Sequence, residues 1–330
     1  MKILFIGGTG NISIACTRLA LEKGYEVYHL NRGKTENPFG DSVKSILADI
    51  NDRQSITKAI QDQNFDVIAN FIAFVPEDIR RDFEIFQNKT SQYVFISSAS
   101  AYQKPPSYPV ITESTPLKNP YWQYSRDKIS CENSLNDLYR DKGFPITIIR
   151  PSLTYDTVIP AAIGSWDDFT LIDRIRKGKK IIVHGDGTSL WTITHSEDFA
   201  KGFIGLLGHQ QAIGQSFHIT SDEILTWNQI YEAIGMAAGV IPEMIHIPSE
   251  FIAGFDDFHT GNLLGDKAHS VIFDNSKIKA FVPGFQALIP FNQGIKRTVS
   301  WFEQKPSRMK IIEETNDFMD QVIQSYLKIR

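Results

Sequence analysis

Cysteine is scarce in this chain: two among 330 residues, Cys16 and Cys131. Two thiols make no disulfide framework, and neither stands in a metal-ligand spacing, so no metal is expected. Long apolar runs are missing as well. No stretch reaches the ~18 apolar residues of a membrane span. The opening apolar run is too short for a secretory signal and leads straight into a glycine turn. A reducing cytoplasm is therefore the expected location, and no membrane partner is expected. A strong excess of one charge is also absent, the formal net charge being −4. That disfavours a general nucleic-acid or anionic-membrane surface, so nucleic acid is not an expected partner. Internal repeats and low-complexity segments are lacking. What remains is 42% hydrophobic and 22% charged, the balance of a globular protein with one large domain or two smaller ones.

The informative stretch comes first. Lys2-Ile3-Leu4-Phe5-Ile6 fits a buried parallel strand. Gly7-Gly8-Thr9-Gly10-Asn11-Ile12-Ser13 is a glycine-rich turn, and the run through Leu19 and Leu21 reads as a helix that stops at Gly24. Strand, glycine turn and helix N-terminus make an anion site, where free N–H groups and the helix dipole meet a pyrophosphate. Glycines let the backbone approach the phosphates closely. Gly7, Thr9, Gly10, Asn11 and Ile12 are thus candidate cofactor-binding residues. The spacing Gly7-x-x-Gly10-x-x-Ser13 departs at its third position, where a small serine should still allow helix–strand packing. The alternative is an ordinary tight turn, which the strand-before, helix-after context disfavours.

A second strand, Glu26 to Leu30, ends at Asn31-Arg32, where an adenosine ribose would lie. An acidic residue there would suit NAD. Arg32, with Lys34 nearby, can pair with a 2′-phosphate and tilts the choice towards NADP. A solvated loop arginine is the competing reading. Lys44 to Ile50 reads as a third strand, with Asp49 placed to accept from the adenine amino group and Ile50 against the ring. A cap for a helix from Asp52 to Ile60 is the plainer role for that aspartate. Phe65 to Phe71 and Tyr93 to Ser98 are strands four and five, with a helix from Glu77 to Gln87 between them. Phe71 and, after a sixth strand from Pro145 to Arg150, Pro151 complete the candidate cofactor set. Alternating strands and helices over about 150 residues give an α/β, doubly wound parallel sheet.

After Pro151 the pattern loosens. Thr154 to Trp166 is loop-like, Phe169 to Lys177 helical, and Lys180 to His184 a short strand. Further short strands are expected at Thr192 to His195 and Ser216 to Ile219, with helices at Glu197 to Leu207 and Thr226 to Met236. The expected division is a Rossmann domain over 1–152 and a smaller mixed α/β substrate lobe over 153–305, some of whose segments return to the first. A polar helical tail over 306–330 has no assigned role. Ligands of open sheets sit at the carboxyl ends of the strands, under that lobe.

Tyr124-Ser125-Arg126-Asp127-Lys128 lies on an expected helix, where positions four apart share a face. Of the 11 tyrosines, Tyr124 alone has a lysine four residues on. A free phenol has a pKa near ~10, too high for a base at neutral pH. A nearby ammonium favours the phenolate and should lower it. Such a phenol can exchange a proton with a substrate hydroxyl while a nicotinamide exchanges hydride. Taken alone, a surface tyrosine and a solvated lysine is the commoner outcome. Ser97 and Ser98 close the fifth strand at the same crevice, where a hydroxyl can donate to a substrate oxygen or hold the phenol. A turn or cap serine is the alternative.

Together these pieces resemble the extended short-chain dehydrogenase family, the NAD-dependent epimerase/dehydratase group. The matching segments are Gly7-Gly8-Thr9-Gly10-Asn11-Ile12, Asp49-Ile50, Ser97-Ser98-Ala99-Ser100-Ala101-Tyr102, Tyr124-x-x-x-Lys128, Arg150-Pro151 and His195-Ser196-Glu197-Asp198. They span roughly residues 1 to 205 in the family's order. The resemblance implies bound NAD(H) or NADP(H), Tyr124 as acid/base, Lys128 on the nicotinamide ribose and Ser98 as substrate-side hydroxyl. It also implies a small-molecule substrate and a homodimer. In sugar-nucleotide members an arginine after the Gly-Asp-Gly turn clamps the diphosphate; aligning through Gly185-Asp186-Gly187 and Glu197-Asp198 puts Trp191 there. An indole cannot replace a guanidinium on phosphate. The chain more loosely resembles a divergent branch that includes chloroplast stem-loop-binding proteins, some of which bind RNA. The leading expectation is an epimerase/dehydratase-type oxidoreductase acting on a sugar, sugar nucleotide or related alcohol or ketone. A nucleotide-binding or RNA-associated scaffold and a simple ketone reductase are the alternatives.

Overall fold

The computed structural model describes residues 1–34, 37–164 and 166–329. Seven strands form one sheet: β1 Lys2–Ile6, β2 Glu26–Asn31, β3 Lys44–Leu47, β4 Phe65–Asn70, β5 Thr90–Ile96, β6 Ile146–Pro151 and β7 Gln215–Ile219. Their order is β7-β6-β5-β4-β1-β2-β3, and every adjacent pair runs parallel. The strand order reverses between β1 and β4, which is the topological switch point where doubly wound sheets bind ligands. Consecutive β1 residues serve opposite cores. Ile3 and Phe5 pack with Phe199 and Phe203 on one side; Leu4 and Ile6 pack with Ile68, Phe86 and Leu135 on the other. Both faces being covered explains why the strands read as apolar runs rather than alternating ones.

The helices flanking or following the sheet are α1 Asn11–Glu22, α2 Arg53–Ala59, α3 Pro76–Phe86 and α4 Gln123–Lys142. Beyond them come α5 Thr170–Arg176, α6 Ser196–Leu206, α7 Trp227–Ala238, α8 Phe291–Glu303 and α9 Glu313–Lys328. Helix α6 packs against α1, and β7 joins the sheet beside β6, so residues beyond 152 complete the first layer. The remaining segments form a second core around Ile182, Val183, Trp191, Trp227 and Ile234. The polar-looking end of the chain belongs to it: Met319, Val322 and Ile323 of α9 are buried there.

Several boundaries differ from the sequence reading. Strand β3 ends at Leu47, so Asp49 and Ile50 stand in the turn beyond it. Asp52, not Asp49, caps α2, accepting from Ser55 N at 3.0 Å. Strand β5 spans Thr90–Ile96, leaving Ser97 and Ser98 past its end. Leu153–Tyr155, expected as loop from Thr154 onward, is a short strand paired with Ile193–His195. Such a two-strand patch is too short for periodicity to reveal, and its partner lies about 40 residues away.

Candidate active site

The glycine turn forms one wall of a cleft of about 550 Å³ at the switch point. Gly7 has φ +79, and a Cβ there would fall 2.5 Å from Ile72 Cγ2. At Gly8 a Cβ would fall 2.4 Å from the His29 ring. The serine in the third motif position does more than fit. Ser13 Oγ accepts from Gly10 N at 2.8 Å and donates to the Gly7 carbonyl at 2.8 Å, locking the loop from within. Beneath it, buried His29 lies 2.9 Å from Thr17 Oγ1, and burial lowers its pKa to about 4, so it is neutral.

Of the residues singled out in the sequence, Gly7, Thr9, Gly10, Asn31, Arg32, Asp49 and Ile50 line this cleft together. Asn31 Oδ1 accepts from Gly33 N and Asp49 Oδ1 from Asn51 N, both at 2.9 Å, which fixes the two strand-end turns. Arg32 and Lys34 are exposed at its rim. Three others point elsewhere. Asn11 donates to the Thr154 carbonyl at 2.9 Å, tying the turn to the second lobe, and Ile12 packs against the α1-side core. The Phe71 ring lies 5.5 Å from Phe5 and 5.6 Å from Phe203, inside that core. Asn11 and Ile12 retain the free N–H groups of a first helical turn. Sequence reading missed Ile72, Asp78 and Arg81 in the lining. Arg81 pairs with Asp78 and Asp82, and Asp82 accepts from Tyr93 OH at 2.6 Å. Only the packing of α3 on the sheet brings them there; the amphipathic pattern of α3 held no signal.

Helix α4 brings the second set together. Its first turn carries Tyr124, half-buried, and, one turn on, Lys128, which is buried. Lys128 Nζ donates to the Ala73 carbonyl at 2.7 Å and the Ile96 carbonyl at 2.8 Å, bridging the ends of β4 and β5. It lies 5.8 Å from the Tyr124 ring centre. Burial pulls its pKa down to about 8. The phenol moves the other way: burial pushes Tyr124 up to about 12, against the lowering effect of a hydrogen bond from Ser98. The expectation that the ammonium would bring the phenol down is therefore not met in this structure. Desolvation outweighs a charge held off by two carbonyls. Ser98 also stands 2.9 Å from Ser100 Oγ, which accepts from Ser125 Oγ at 2.7 Å, and it caps the short Ala99–Ala101 turn. Ser98 therefore caps a turn and also reaches the Tyr124 hydroxyl. Ser97 is turned away, bonded to Glu132 of the buried Glu132–Arg150 ion pair.

Ser98 and Tyr124 face a separate cavity of about 400 Å³, with Pro151 in its wall rather than in the first cleft. Aromatic rings dominate: Trp122, Trp166, Trp191, Phe258 and Phe273. Trp191 is 2% exposed, and its indole N–H finds no acceptor among the described residues. Asp266 and Lys267 are the charged lining groups, 3.2 Å apart. They sit on a π-helical turn, Leu263–Lys267. Among the described residues no cluster of His, Cys, Asp and Glu is arranged to hold a metal ion, and no helix is long and apolar enough to cross a membrane.

A parallel sheet of this order, with a glycine turn at its switch point, defines a Rossmann-like α/β class of protein. Residues 3–220 match the NAD-dependent epimerase/dehydratase family, and the chain belongs to it. It is 27% identical over 268 residues to the chloroplast stem-loop binding protein of 41 kDa b of Arabidopsis thaliana, covering 77% of this chain and 68% of that protein. It is 28% identical over 248 residues to a UDP-glucose 4-epimerase of Lactobacillus helveticus, covering 66% and 74%. Among solved structures, a dTDP-glucose 4,6-dehydratase from Bacillus anthracis in complex with NAD superposes with a TM-score of 0.73 at 20% identity, covering 93% and 98%.

Proposed function

We propose that this chain is an NAD(P)-dependent oxidoreductase of the epimerase/dehydratase type. Its substrate would be a sugar, sugar nucleotide or related secondary alcohol or ketone. The observation that carries the reading is the link between two sites: the glycine-walled cleft has Ile72 in its wall, and the next two residues meet the helix of the aromatic cavity, Ala73 accepting from Lys128 at 2.7 Å and the Phe74 ring lying 6.4 Å from that of Tyr124. The cleft fits a dinucleotide, because the turn leaves no room for a Cβ at Gly7 or Gly8 and opens onto a helix N-terminus. Gly7, Thr9, Gly10, Asn11 and Ile12 would hold the pyrophosphate, Asn31 and Arg32 the ribose, and Asp49 and Ile50 the adenine. Tyr124 and Lys128, with Pro151 in the neighbouring cavity wall, would stand on the nicotinamide side of this assignment, whereas the Phe71 ring is held in the core. Arg32 and Lys34 favour NADP over NAD. The bound coenzyme supplies hydride exchange at its nicotinamide.

The residues of the chain manage the proton. Near neutral pH a phenol held at about 12 is protonated, ready to donate to a keto oxygen as it gains charge. In the opposite direction Tyr124 must become phenolate; Ser98 and the Lys128 ammonium are the groups that stabilise it. Calorimetry with NAD+, NADH, NADP+ and NADPH tests the coenzyme half. Turnover of Tyr124→Phe on a panel of sugars and sugar nucleotides, read by analysis of the sugar product because epimerisation and dehydration return the hydride, and by the reduced-nicotinamide absorbance for net reduction, tests the proton half. Unchanged turnover in that variant removes the Tyr124 assignment.

The likeness to a stem-loop binding protein supports a second reading, an RNA-associated scaffold with little turnover. The net charge of −4 argues against it. Salt-dependent RNA binding together with no heat on coenzyme addition would favour it. The homodimer and the cytoplasmic location belong to the leading reading, and sedimentation velocity tests the first.

A further inference from the structure

We propose that the cavity beside Tyr124 takes an uncharged hydroxylated or keto ring compound, a free or glycosidically linked sugar in class, and not a sugar carried on a diphosphate. The inference rests on the reading of Tyr124 as the proton-transfer residue of that cavity.

Charge decides it. A diphosphate diester brings two negative charges, and a buried site must answer them with cations, best with guanidinium groups. Among the described lining residues, Lys267 is the one cation, and it is already answered: its Nζ lies 3.2 Å from Asp266 Oδ2. Lys104, outside the lining, stands 3.8 Å from the other Asp266 oxygen. Two lysines thus share one carboxylate, so a diphosphate entering here would meet at most one net positive charge against its two negative ones, and no guanidinium among the described lining residues.

What the cavity offers instead is flat apolar surface with a few placed polar groups, the usual make-up of a site for a neutral ligand. Trp191 forms a buried wall and Trp122 a half-buried one, and Trp166 and Phe258, at 39% and 61% exposure, stand at the mouth. Such rings match the C–H faces of a sugar ring, while Ser98, Ser152 and Asn262 offer hydroxyl and amide groups to its oxygens. Lys267 donates to Asn262 Oδ1 at 2.6 Å and to Asp266, which leaves its third N–H for a ligand oxygen. The turn that carries it is held rigidly. Trp227 Nε1 donates to the Lys267 carbonyl at 3.2 Å, and His184 Nε2 lies 3.0 Å from the same oxygen. A π-helical turn of this kind recurs at functional sites.

The test is saturation-transfer NMR on the full chain saturated with coenzyme, using phenyl β-glucoside as the uncharged probe and UDP-glucose and UDP as the anionic ones. The expected result is transfer to the phenyl glucoside ring protons and none to the anionic probes. Binding should weaken about tenfold in Lys267→Met and severalfold in Trp166→Ala. Trp166 stands at the rim, so its truncation keeps the test valid should Lys267→Met unfold. Tighter binding of UDP-glucose than of the glucoside overturns the proposal, as does glucoside binding that neither variant alters, or no binding of the glucoside at all. Failure here with coenzyme bound leaves the oxidoreductase reading standing. Failure of the coenzyme to bind removes that reading on separate grounds.

Discussion

The glycine-walled cleft and the aromatic cavity are built in opposite ways. The cleft is made by backbone: strand ends, a glycine turn and one helix start, drawn mostly from residues 7–81. The cavity is made by side chains gathered from positions as far apart as Ser98 and Phe273. A backbone site serves one invariant ligand shape, whereas a side-chain site can be re-lined without disturbing the sheet. The two regions nonetheless share a support. A neutral, buried imidazole lies under each: His29 beneath the glycine turn and His184 beneath the Lys267 turn, both with pKa lowered to about 4 by burial.

The sharpest way to separate the regions is Tyr124→Phe. Turnover is expected to fall by about 10²–10⁴ while coenzyme affinity stays within about twofold, measured by steady-state kinetics beside calorimetry. Equal losses in both would mean that the tyrosine serves the cleft rather than the cavity.

The shared support predicts an acid limit. Both histidines ionise more readily when unfolded, near 6.5, than when folded, near 4. The unfolded chain therefore binds more protons in that window, and stability falls as pH drops from about 6.5 to about 4. Each imidazole should contribute on the order of 2 kcal/mol to that loss. His29→Asn and His184→Asn should each flatten part of the slope of the urea midpoint against pH. Gly7→Ala strikes the cleft alone. Positive φ and the approach to Ile72 should cost about 1–2 kcal/mol of stability and weaken coenzyme binding, read by thermal melts with and without NADP+. The smallest effect is reserved for the exposed rim. Arg32→Ala should weaken NADP(H) about fivefold and leave NAD(H) nearly unchanged, since an exposed cation is screened by solvent.

The asymmetry between the regions also explains what could be read in advance. The cleft was legible because its elements are local: an apolar run, glycines at fixed offsets and a helix stop fall within 24 residues. Tyr124 and Lys128 were legible for the same reason, one helical turn apart on α4. Ser98 could be placed at a strand end, although β5 stops two residues before it. The side chains of Phe71, Asn11 and Ile12 were not legible. Their direction depends on whether the residue after a strand or at a helix start faces the cleft or the core. The aromatic box, apart from Trp191, and the Asp266–Lys267 pair carried no local pattern at all.

By itself, then, the order of residues determined the sheet, the anion-ready turn and the tyrosine–lysine pairing, because each depends on hydrophobic period and on spacings of a few residues. Tertiary structure alone decided the protonation of the phenol, the roles of Asp266 and Lys267 and the character of the cavity. Those depend on how deeply groups are withdrawn from water and on which distant charges they meet there, and neither is written in any short stretch of chain.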